Sequence, residues 1–78
     1  MENSNQPVLI MAGTSTQYTE TRRKLELLPK ETRWLTRPTG LDGLAKPKVY
    51  RVGSWKDLAQ VEGLEVALRA VQAEIIDL

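Results

Sequence analysis

Four consecutive large apolar residues, Val8 to Met11 in the stretch "PVLIMAGTST", constrain the fold more than any other feature of the chain. A run without polar alternation reads as a strand buried on both faces. That puts it in the middle of a sheet with a parallel partner and demands cover above and below. The run stops at Gly13 and is followed by three hydroxyl residues, Thr14, Ser15 and Thr16. A strand feeding a phosphate-cradling turn ends this way, and so does a strand that meets a helix cap. With Thr14 or Ser15 as the cap, a helix is predicted through roughly Leu28, and Pro29 ends it.

The next segments are shorter. "ETRWLTRP" alternates and reads as a second strand that Pro38 stops. In "TGLDGL", Thr39 and Asp42 have capping-box-like spacing around a single turn that tucks in Leu41 and Leu44. "KVYRVGSW" is a third strand, broken at Gly53. Val61, Leu64, Leu68, Val71, Ile75 and Leu78 recur at spacings of three and four, which predicts a long final helix. Ser54 is a candidate cap, and Gly63, at about 1 kcal/mol relative to alanine, delays the regular part to around Glu62.

Right-handed crossovers turn this order into an α/β domain. Its sheet is expected to be three-stranded, mostly parallel and in the order two-one-three, with two main helices, one on each face, as half of a Rossmann-like unit. Met1 to Gln6 is polar and reads as a flexible tail, and residues 7–78 form one domain. The expected core comprises Val8, Leu9, Ile10, Met11, Leu25, Leu28, Trp34, Leu35, Leu41, Leu44, Val49, Val52, Leu64, Leu68, Val71 and Ile75.

Composition removes whole classes of function. The chain has no cysteine and no histidine, so thiolate chemistry, imidazole bases and the usual zinc ligand sets are absent. No carboxylate pair is placed across a cleft, so no catalytic residue, metal or cofactor is expected. Apolar runs fall short of the ~20 residues a membrane span needs, and a secretory leader is not recognisable in "MENSNQ", so a cytoplasmic protein is expected. The net charge is +1, with nine basic residues against five acidic up to Gly53 and two against five from Ser54 onward. Despite the run Arg22, Arg23, Lys24, this charge and only four aromatic residues argue against nucleic acid as a partner.

Parallel strands bring their C-terminal ends to one edge, where open α/β sheets bind ligands. Gly13, Thr14, Ser15 and Thr16 are therefore candidate phosphate-binding residues, and Arg37, Thr39, Ser54 and Trp55 candidate partner-binding residues, with Trp55 and Arg37 composed like an interface hot spot. The glycine turns match neither the P-loop nor the dinucleotide fingerprint. A domain of 78 residues also promises little room for a cavity of ~300 Å³ or more. A final helix with Ala67, Ala70 and Ala73 on its flank suggests close approach of a second copy, hence a homodimer.

Four motifs carry a resemblance: "VLIMAGT", "RWLTRP", "LDGL" and "VGSW". Together they make Pro7 to about Trp55, roughly two thirds of the chain, similar to a group of short proteins encoded in phage and prophage genomes. Ser54 stands where that pattern has threonine, and the final helix is longer and richer in alanine. The resemblance implies a compact α/β fold and a phage accessory role in the host cytoplasm, and it assigns no catalytic residue. The expected function is a non-enzymatic binding protein that engages a host protein or defence component. The alternative is a small nucleotide- or phosphate-binding module.

Overall fold

The computed structural model describes residues 6–78. Of the expected tail, residues 1–5 lie outside them. Gln6 is fixed at both ends of its amide: the Ala45 N–H donates to Oε1 at 2.7 Å and Nε2 donates to the Ala45 carbonyl at 3.0 Å.

Val8–Ala12 forms β1, and Leu9 to Ala12 are all but sealed from solvent, as an uninterrupted apolar strand requires. It pairs in parallel with β2 (Thr32–Trp34) on one side and β3 (Lys48–Val52) on the other. Alternate side chains of β1 serve two cores. Ile10 and Ala12 meet Val52, Tyr18 and Tyr50 under α1 (Ser15–Lys24), whereas Leu9 and Met11 join Leu35, Leu41, Val49, Leu64 and Leu68 under α2 (Val61–Ala70). Gly63 sits in α2 where Pro38 packs closely, since a Cβ there would lie 3.2 Å from Pro38 Cγ.

Among the described residues the sheet has four strands, not the expected three. β4 (Glu74–Asp77) adds to β3 in parallel, and the order is β2-β1-β3-β4. The expected helix through Leu78 stops at Ala70 because Gln72 takes a left-handed conformation, φ 56°. Gln72 N–H then donates to the Arg69 carbonyl at 3.1 Å and Ala73 N–H to Leu68 at 3.0 Å, which is a Schellman ending. Beyond it the β-branched pair Ile75 and Ile76 suits a strand, and Glu74 N–H donates to Pro47 at 2.8 Å. The helical spacing of Ile75 and Leu78 was therefore a coincidence of register. The small-residue flank expected to seat a second copy is also divided, with Ala67 packed against the core and Ala73 beyond the helix end.

The first helix is shorter than expected for the same reason. Glu26 has φ 59°, with Glu26 N–H on Arg23 and Leu27 N–H on Arg22, both at 3.0 Å, so α1 ends at Lys24. Leu28 then projects outward, 51% exposed, and Trp34 (39%) and Ile75 (38%), on the two edge strands, are likewise outside the core in which they were expected.

Side-chain pairing ties β4 to its neighbour. Arg51 on β3 donates from Nε and Nη2 to the two Asp77 carboxylate oxygens at 2.6 and 2.8 Å, with Glu65 at 4.0 Å. Hydrogen bonding to Arg51 is the largest influence on Asp77 and holds its carboxyl below the usual carboxylate range, while the same bond raises Arg51.

Two consequences can be measured. Gln72→Gly relieves a left-handed non-glycine residue and should raise stability in urea unfolding by about 0.5–1 kcal/mol. Asp77 has the lower pKa when folded, so its contribution is present above its unfolded pKa and is lost as pH falls through the folded one. Asp77→Asn should therefore flatten the acid limb of the stability–pH curve below pH 4 and leave the curve's shape above neutrality unchanged.

Candidate functional site

The C-terminal edge of the sheet is where the strand order reverses. From β1 the chain passes through α1 to β2; from β3 it passes through α2, on the opposite face, to β4. The crevice of such a sheet lies between the two strands whose connections diverge, here β1 and β3. Gly13 leaves β1 there, and Gly53 and Ser54 leave β3.

Gln17 occupies this point. Its Oε1 accepts from Gly13 N–H at 3.0 Å, from Ser54 N–H at 3.1 Å and from Ser54 Oγ at 3.2 Å. The donors that a phosphate would need are gathered around a neutral carbonyl of the protein itself. Packing is tight: a Cβ on Gly13 would overlap the Ser54 side chain and carbonyl, and one on Gly53, whose φ is 58°, would overlap the Gln17 amide. Thr14 Oγ1 is also committed, accepting Gln17 N–H at 3.1 Å as the helix cap. Ser15 and Thr16 are exposed and border, with Thr19, Glu20 and Arg23, a shallow depression of about 270 Å³.

Sequence reasoning missed Gln17, although the signal was there. Thr14-Ser15-Thr16-Gln17 has the capping-box pattern, in which a glutamine three residues after the cap reaches back to the preceding backbone. Here it reaches one residue further, to Gly13, and across to β3.

The candidate partner residues separate into two groups. Arg37 and Thr39 border a second shallow depression of about 270 Å³ with Trp34, Thr36 and Gly40. Trp34 is held firmly: its indole N–H donates to the Ala12 carbonyl at 2.9 Å, and its ring stacks on Tyr18 at 6.1 Å between centroids, while the Tyr18 hydroxyl bonds Thr32 Oγ1 at 3.0 Å. Trp55, in the short turn after β3, is half-buried against the α2-side core, with the Arg51 guanidinium 4.2 Å from its ring centroid and the Lys56 ammonium at 5.6 Å. Arg37 follows β2 and Trp55 follows β3, and β1 runs between those two strands, which holds them about 10 Å apart. The aromatic beside Arg37 is Trp34.

A larger cleft opens beside α1. It measures about 440 Å³ between Glu20, Thr21 and Lys24 on α1, with Leu25 just beyond its end, and Val52 and Leu78 at the strand ends. The expectation that so small a domain lacks room for a cavity above ~300 Å³ is thus corrected. α2 crosses to the far face, so among the described residues α1 is the α-helix on this one and the flank over β3 and β4 is left open.

Among the described residues no group of three or more acidic, cysteine or histidine side chains could hold a metal ion, and no helix is long and apolar enough to cross a membrane. Comparison with family models, with curated proteins and with solved structures returns no match.

Replacing Gln17 tests the strand tie directly. Gln17→Leu leaves partly buried backbone donors without an acceptor and should cost about 1–3 kcal/mol in urea unfolding, whereas Gln17→Glu, which keeps the acceptor, should cost less. Equal stability of wild type and Gln17→Leu would show that the tie carries no weight.

Proposed function

We propose that this chain is a non-enzymatic binding protein whose contact surface is the Trp34–Arg37 corner at the end of edge strand β2. The observation that carries the reading is Trp34 itself, 39% exposed yet fixed by its hydrogen bond to Ala12 and its stacking on Tyr18. An aromatic ring immobilised before binding loses little further entropy when a partner covers it, and an adjacent arginine completes the composition of an interface hot spot. Thr36, Thr39 and Gly40 supply a small polar floor between them.

The parallel order β2-β1-β3-β4 is read as part of a doubly wound, Rossmann-like sheet, which makes nucleotide binding the natural rival. Gln17 weighs against that rival by taking up the Gly13 and Ser54 donors. The resemblance to short phage and prophage proteins supports an accessory role in the host cytoplasm, with a host protein or defence component as partner.

Affinity capture from a host lysate, compared across variants, tests the reading. Trp34→Ala and Arg37→Ala should each weaken capture of the same partner by more than about 1 kcal/mol with the far-ultraviolet spectrum unchanged, whereas Thr14→Val should capture normally. Calorimetric titration with ATP and GTP should give no saturable heat. Nucleotide binding that Thr14→Val abolishes, with partner capture unaffected by Trp34→Ala and Arg37→Ala, would reverse the assignment.

A further inference from the structure

The cleft beside α1 lies apart from the Trp34–Arg37 corner, and its chemistry is different. Its volume of about 440 Å³ falls within the ~300–1,000 Å³ typical of small-molecule sites. It lies at the C-terminal ends of β3 and β4, beside the β1–β3 reversal that Gln17 fills.

One wall is the flank of α1. Glu20 and Lys24 stand four residues apart, which puts their Cβ atoms about 5–6 Å from each other on one face, with Thr21 between them. Among the described residues, the ion pairs all involve Arg51, so these two charges are not paired with one another. The opposite side is apolar: Val52 at the end of β3 and Leu78, 62% exposed, after β4, with Leu25 at the helix end. Gln17 and Gly53 close the cleft, and because Gln17 Oε1 is turned to Gly13 and Ser54, its Nε2 is the amide's remaining donor.

We infer that this cleft binds a small zwitterion with an apolar body, of the size of an aromatic amino acid. The ligand ammonium meets Glu20, its carboxylate meets Lys24, and its apolar part covers Leu25, Val52 and Leu78. A plain anion or a plain cation is disfavoured, since each would have one like-charged neighbour on the helix wall. A purely apolar ligand would strip water from both charges and return nothing. The inference uses no residue of the partner surface, so either can fail without the other.

The test is a titration of ¹⁵N-labelled protein followed by backbone amide shifts, with L-tryptophan as the probe. Indole-3-propionate, which lacks the ammonium, and tryptamine, which lacks the carboxylate, are the controls. L-tryptophan should give saturable shifts at Thr21, Lys24, Leu25, Gly53 and Leu78, and each control should bind about tenfold more weakly or less. Glu20→Gln should remove the advantage over indole-3-propionate, and Lys24→Gln the advantage over tryptamine. Thr21→Phe should fill the cleft and eliminate the shifts, with retained spectral dispersion reporting an intact fold. Absence of saturable shifts, shifts mapping elsewhere, or controls binding as well as L-tryptophan would overturn the assignment.

Discussion

Burial of β1 on both faces is the constraint on which the rest of the molecule depends. Leu9 and Met11 point one way and Ile10 and Ala12 the other, and each pair needs its own apolar layer. A strand used on both sides cannot lie at a sheet edge, so β2 and β3 flank it, and parallel pairing with each forces a crossover between them. Helices on opposite faces follow. Among the described residues there are two α-helices, one for each layer.

That economy explains where the surface is closed and where it is open. At the reversal between β1 and β3 the backbone offers converging N–H groups, and leaving them bare in a partly buried place would be costly. Gln17 meets them from the first turn of α1, so a helix-capping residue also joins two strands. Next to it, no element among the described residues covers the flank of α1, because α2 is on the far face. The charged wall of Glu20 and Lys24 above Val52 and Leu78 is the result of that shortage of helices.

Exposure of the aromatic residues follows from the same geometry. Trp34 lies on the short edge strand at the margin of α1, so stacking on Tyr18 covers one side of the ring and leaves the rest in water. Trp55 leaves the sheet at an inner strand and finds both the α2-side core and Arg51. The arginine is shared: it also holds Asp77, so the anchoring of β4 and the seating of Trp55 are coupled through one side chain.

Much of this was legible in the residues themselves. The run Val8 to Met11 implied a central, doubly covered strand with parallel neighbours. Thr14 or Ser15 announced a cap, which the structure gives to Thr14, and the alternation in "KVYRVG" a strand, because each of these signals is local. Tertiary structure alone decided the rest. Both helix ends rest on a non-glycine residue in the left-handed region, Glu26 and Gln72, which local preference disfavours and only the surrounding hydrogen bonds make worthwhile. β4 exists because β3 offers an open edge to Glu74–Asp77, a non-local reward that outweighs a helical spacing continuing through Ile75 and Leu78. Gln17 reads as a polar helix residue until the fold brings Ser54, 37 positions away, within reach of its carbonyl oxygen. Periodicity reports which side chains share a face, but contacts across the sheet determine where an element stops and what a polar side chain binds.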